Sequence, residues 1–142
     1  MVRGSLLAKY VNETYNIPVI HIIRNPHNVI RSQQRVKFPW LYNLDHFVSQ
    51  TELVSLIKEK FDYDITSYNS LSEVEILCLR WCIENVIPLE VLPSYANKSK
   101  VVRYEALFSD MNEFYQLCDE FDLTAVDNLE QFYRQPSSKT HP

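Results

Sequence analysis

The stretch VIHIIRNPHNVIRS, Val19 to Ser32, decides how this chain reads. Its first half is apolar and β-branched (Val19, Ile20, Ile22, Ile23), the composition of a buried strand. The run stops at Arg24-Asn25-Pro26. Asn25 is a good N-cap and Pro26 suits the first helical position, so the spacing predicts a helix from Pro26. A strand that delivers an arginine into the turn before a helix makes a corner suited to an anion. The guanidinium offers a bidentate fork, and the first amides of the helix lack intrahelical partners. Ser32 lies seven residues beyond Asn25, two helical turns on, so its hydroxyl looks out on the side of the loop.

Working outward, Lys100 to Leu107 reads KVVRYEAL, a short apolar strand followed by Tyr104-Glu105 and the helix-like MNEFYQLCDEFDL. Before it, Leu77, Trp81 and Asn85 recur at helical spacing, with Trp81 read as core. Near the end stands Pro136-Ser137-Ser138-Lys139-Thr140.

In this order the motifs resemble the sulfotransferase family, whose donor is 3′-phosphoadenosine 5′-phosphosulfate (PAPS). There a strand ends in Arg-Asn/Asp-Pro with a serine eight residues after the arginine, the places held here by Arg24, Asn25, Pro26 and Ser32. Later come a strand, Tyr-Glu-x-Leu and a helix ending in Phe-Leu, then a short Ser/Thr segment. The resemblance spans about Leu6 to Thr140. It implies a helix-rich α/β chain, part of a P-loop-NTPase-like sulfotransferase fold, with a short parallel sheet flanked by helices. It implies that Arg24 and Ser32 hold the 3′-phosphate of PAPS or of its product 3′,5′-bisphosphoadenosine (PAP). Tyr104 would lie against adenine, and Ser138 or Thr140 would touch adenine or phosphate. Each has a plainer reading beside it: a solvated arginine at a strand end, a tyrosine closing the core, a frayed polar terminus.

The sequence also departs from the family. Its 5′-phosphosulfate loop, a Gly/Ser/Thr/Lys-rich turn, belongs far upstream of the arginine motif. Here 23 residues precede Arg24, Gly4 is the sole glycine, and no G-x-x-x-x-G-K-[ST] pattern exists. His21 lies inside the strand and His27 after the proline, neither where the family places its base. The expectation is a single, incomplete domain over residues 1–142, the C-terminal portion of a sulfotransferase: a fragment, a mis-started frame or a degenerate relative. Sulfonate transfer depends on positioning and charge stabilisation around the leaving group, which that loop supplies. The chain alone is therefore expected to turn over little, its parent being the enzyme that sulfonates an acceptor hydroxyl or amine. A competing reading is a non-catalytic interaction module. A nucleotide-kinase relative is disfavoured by the missing phosphate loop.

Composition agrees with a globular domain. At 142 residues, 46% hydrophobic and 13% aromatic, the chain can bury a core. A net charge of −4 without a Lys/Arg block argues against nucleic-acid binding. No apolar run reaches 18 residues, so no membrane span is expected. Cys78, Cys82 and Cys118 read as reduced thiols, and the i, i+4 pair Cys78/Cys82 as packing. A cytoplasmic setting follows. The triplets Asn12-Glu13-Thr14 and Asn97-Lys98-Ser99 are glycosylation sequons that leave a Golgi-lumenal parent open.

Periodicity predicts a helix over Ser5–Tyr15 with Leu6, Leu7, Tyr10, Val11 and Tyr15 on its apolar face. The helix from Pro26 frays near Lys37, broken by Phe38-Pro39. A helix is expected over Asp45–Lys60 with Asp45 as cap, and a loop over Phe61–Ser70. Ser72 and Glu75 form a capping-box pattern opening a helix to about Val86, with Pro88 near its end. Asp110 caps a helix toward Phe121, and a shorter one spans Ala125–Tyr133. Phe38, Trp40, Tyr42, Phe61, Tyr63 and Tyr68 either line a cleft for an acceptor (small molecule, sugar or peptide) or simply cover the sheet. If the chain is complete, the sheet has an exposed edge where an upstream strand belongs, open to self-association.

Overall fold

A chain with one glycine has to end its helices by other means. In the computed structural model, which describes residues 7–91 and 94–124, four non-glycine residues take left-handed backbone: Asn16 (φ 53°), Lys37 (φ 46°), Asp62 (φ 50°) and Asp122 (φ 53°). Each follows a helix. Asn and Asp tolerate this conformation through their short polar side chains, an advantage Lys37 lacks.

The elements run α1 (Ala8–Tyr15), β1 (Val19–Ile23), α2 (Pro26–Val36), α3 (Asp45–Val48), α4 (Thr51–Phe61), α5 (Glu73–Val91), β2 (Ser99–Arg103), α6 (Tyr104–Ser109) and α7 (Met111–Glu120). Short 3₁₀ helices cover Pro39–Leu41 and Ile65–Ser70. The protein is a helix-rich α/β chain with one two-stranded parallel sheet, β1 beside β2. Among the described residues each strand has one neighbour, so each keeps one edge without a strand partner. The chain separates into two compact units, residues 1–19 with 25–99, and residues 20–24 with 100–142.

The first unit is helical. Its core gathers Leu44, Phe47, Leu53, Ile57, Ile65, Tyr68, Ile76, Ile83 and Ile87, and α2 packs against α5. The Ser72–Glu75 capping box forms as expected: Glu75 Oε2 accepts from Ser72 N (2.8 Å) and Ser72 Oγ (2.6 Å), and Glu75 N donates to Ser72 Oγ (3.4 Å). The expected end of α5 near Val86 is corrected, since it runs to Val91 with Pro88 inside. Ile83 and Ile87 are buried and Pro88 fully so. Core packing of this face outweighs the hydrogen bond that proline forfeits.

Three other expectations change. The helix over Asp45–Lys60 is two helices, because Ser49 Oγ and Gln50 Nε2 both donate to His46 O (3.3 and 2.6 Å) and draw the backbone out of the ladder. Asp45 is the first helical residue rather than the cap: its N–H donates to Asn43 Oδ1 (2.9 Å), and its Oδ1 accepts from the Tyr68 hydroxyl (2.6 Å). Phe61–Ser70 is no loop throughout. Asp64 accepts from Thr66 N (2.9 Å) and Oγ1 (2.7 Å), opening the 3₁₀ segment that buries Ile65 and Tyr68.

The face of α1 is the largest surprise. Leu7, Tyr10 and Tyr15, expected inside, are exposed, and the fully buried residue is Asn12. Its Nδ2 donates to Ile17 O (3.0 Å) and Lys98 O (3.3 Å), and its Oδ1 accepts from Asn97 N (3.0 Å). Asn97 Nδ2 in turn donates to Asn12 O (2.7 Å). These bonds replace water for groups that cannot be buried unpaired, and they fix which side of α1 faces inward. The two sequon asparagines are thus bonded to each other, and a glycan on Asn12 is incompatible with this fold.

The second unit carries most of the sheet. Ile20 of β1 and Val102 of β2 pack with Leu107 of α6, with Phe114 and Leu117 of α7, and with Phe121 just past its end. Asp110 caps α7 as expected, accepting from Asn112 N (2.9 Å). Lys100 on β2 pairs with Glu120 on α7. The expected helix over 125–133 lies outside the described residues.

Candidate functional site

Parallel pairing brings the carboxyl ends of two strands to one edge, and each strand is followed directly by a residue the sequence singled out. Arg24 follows Ile23, the last residue of β1, and Tyr104 follows Arg103, the last of β2. The guanidinium carbon of Arg24 lies 4.9 Å from the centroid of the Tyr104 ring, a cation–π contact. Both residues are exposed, Tyr104 at 40%. Among the described residues no carboxylate pairs with Arg24. Its fork therefore keeps hydrogen-bonding capacity for an oxyanion.

Phe108 completes the cluster. It sits one turn after Tyr104 on α6, is 50% exposed, and stacks on the Tyr104 ring at 6.1 Å and 17°. Sequence reasoning passed over it, although the i, i+4 spacing on a helix was there to be read. Tyr104 is no core residue beneath the sheet. It is a half-open aromatic surface with a cation on it and a second ring beside it.

The other corner residues are placed as follows. Asn25 caps α2: its Oδ1 accepts from His27 N (2.9 Å), with Pro26 in the first turn. Ser32 is exposed on α2, two turns beyond that cap. Arg24 and Tyr104 belong to the second unit and Ser32 to the first. Ser138 and Thr140 lie outside the described residues. His21 sits within β1 and is buried. Its Nε2 has no hydrogen-bond partner among the described residues, and burial pushes its pKa below the ordinary histidine value.

The six aromatics of residues 38–68 do not act together. Tyr68 belongs to the core, and Tyr42 packs against it half-buried. Phe38 and Trp40 stack on each other at 6.1 Å and 14°, both about half exposed. Phe61 and Tyr63 line an apolar cleft of about 440 Å³ against α5. Trp81 is half-buried; the deeply buried residue of that turn is Arg80, 1% exposed. Its Nε donates to Leu41 O (2.8 Å), its Nη2 to Trp40 O (2.9 Å) and Asn43 O (2.8 Å), and its Nη1 to buried Glu84 (3.0 Å).

No helix of the described residues is long and apolar enough to cross a membrane. Comparison of the chain with protein-family models, with curated proteins and with solved structures finds no match.

Proposed function

We propose that this chain is a sulfotransferase-family domain, with part of that family's P-loop-NTPase-like fold, which binds the 3′-phosphate and adenine of PAPS or PAP. The observation that carries the reading is the pairing of Arg24 with Tyr104 at the carboxyl edge of a parallel sheet. That edge is where open α/β sheets bind ligands. Arg24 offers the bidentate fork for the 3′-phosphate, and Tyr104, with Phe108 beside it, offers a flat apolar surface and a hydroxyl for the base. Ser32 adds a hydroxyl to the phosphate in this reading, and Ser138 a contact to the nucleotide. These groups orient a donor and do not react. The sulfonate transfer to an acceptor hydroxyl or amine is assigned to the parent enzyme, since the sequence 1–142 contains no phosphate-loop motif. Acceptor and compartment follow from that parent, with the cytoplasm as the working assignment.

A second reading is supported by the same cluster. The exposed Arg24–Tyr104–Phe108 stack also has the cation-and-aromatic composition of a surface that engages a protein partner. Isothermal titration separates the two. With 3′,5′-bisphosphoadenosine and adenosine 5′-monophosphate side by side, the nucleotide reading expects preference for the bisphosphate, and loss of that preference in Arg24→Ala. No heat with either ligand from a chain that melts cooperatively would put the interaction module first.

A further inference from the structure

The cleft between α4 and α5 shares no residue with the Arg24–Tyr104 corner. Its floor and walls are aliphatic: Ile57 of α4, and Leu79, Ile83, Val86 and Ile87 of α5. Phe61 and Tyr63 stand beside them, 43% and 42% exposed. At about 440 Å³ it falls within the range of small-molecule sites, and water in so apolar a space has few partners.

Its charge is equally one-sided. Among the described residues no Lys, Arg or His lines the cleft. The single carboxylate, Glu75, is engaged by the backbone and hydroxyl of Ser72, and the same bonds hold its pKa below the ordinary value. The thiols of Cys78 and Cys82 also face the space. Partial desolvation against the cleft wall, and then the neighbouring Cys78, push the Cys82 thiol upward, so it stays a neutral, polarizable wall. An anion entering here leaves water and meets no cation.

We propose that the α4–α5 cleft is a binding site for a neutral, mostly apolar small molecule, held by burial against α5 and the Phe61 and Tyr63 rings. The Tyr63 hydroxyl, the two thiols and, at one side, Glu75 Oε1 are the polar groups available to orient it.

The cysteines report occupancy directly. Cys78 and Cys82 are exposed and free, whereas Cys118 is buried in the other unit and serves as the internal control. The probe is N-phenyl-1-naphthylamine, compared with 8-anilinonaphthalene-1-sulfonate, the same skeleton bearing a sulfonate. The neutral probe should bind once per chain, and the sulfonate roughly tenfold more weakly or worse. Saturating neutral probe should slow N-ethylmaleimide alkylation of Cys78 and Cys82 several-fold and leave Cys118 unchanged. Cys78→Phe, which fills the cleft from an exposed position, should abolish probe binding while the melting curve is kept. If that variant fails to fold, the alkylation result on the unaltered chain stands alone. Equal affinity for both probes, several probes per chain or unprotected thiols would overturn the proposal. So would thiol protection that grows with protein concentration in the absence of probe, which would place a second copy in the cleft.

Discussion

Arg80 and Arg24 are the same side chain put to opposite uses. Arg80 is 1% exposed and held on every side: three backbone carbonyls and Glu84 accept its hydrogen bonds, and the Trp40 and Phe47 ring centroids lie 5.6 and 5.5 Å from its guanidinium carbon. It ties residues 40–43 to α5. Arg24 is exposed and rests on one aromatic ring. A guanidinium buried among fixed acceptors is architecture. One that has been brought to a strand end and left with donors toward water is available to a ligand. The contrast leaves Arg24 open to an oxyanion, which is what the proposed nucleotide site requires of it.

The contrast can be broken most forcefully at Arg80. Arg80→Ala leaves Glu84 buried without its cation and strips donors from buried carbonyls. It should lower unfolding free energy by about 3–5 kcal/mol in urea titrations. A loss below about 1 kcal/mol would mean that water replaces the guanidinium and that the hub is not architectural. Arg24→Ala should do the reverse. Stability should stay within about 0.5 kcal/mol, while affinity for 3′,5′-bisphosphoadenosine falls by about 1.5–3 kcal/mol, read by calorimetry. Ser72→Ala, which removes the α5 cap without touching either arginine, should cost about 1 kcal/mol of stability and no nucleotide affinity.

The smallest effect concerns His21 on β1, three residues before Arg24. Its pKa is lowered in the folded chain, so the unfolded chain takes up a proton first. Its contribution is fully present above the unfolded value near 6.5 and is lost as pH falls through the folded value. Stability measured from pH 7 to pH 5 should decline, and His21→Leu should flatten that part of the profile. An unchanged slope in the variant would assign the decline to carboxylates.

What the sequence disclosed was local and short-range. VIHII, the Asn25-Pro26 start of α2, the Ser72–Glu75 box and the Asp110 cap each depend on a few adjacent residues, and each forms as read. What it concealed depends on distant partners. The inward face of α1 is chosen by Asn12 meeting Asn97 and Lys98, some 85 positions away. Pro88 stays helical because its surroundings bury it. Arg80 carried a hint, since Arg80 and Glu84 stand at i, i+4 amid the apolar run Ile76 to Ile87 of α5, interrupted otherwise by Asn85. The order of that pair is the weaker one for an isolated helix, which points to tertiary use. For the candidate site, the sequence named Arg24 and Tyr104 separately, and parallel pairing of their strands is what places them together. Phe108 entered only through the geometry.

The measurement that tests the central claim most directly compares two isomers, adenosine 3′-monophosphate and adenosine 5′-monophosphate, by calorimetry on the same chain. They match in base, charge and composition, so a difference reports phosphate position alone. The account predicts tighter binding of the 3′ isomer and equal, weak binding of both in Arg24→Ala. Equal affinities for the two isomers in the unaltered chain would contradict it.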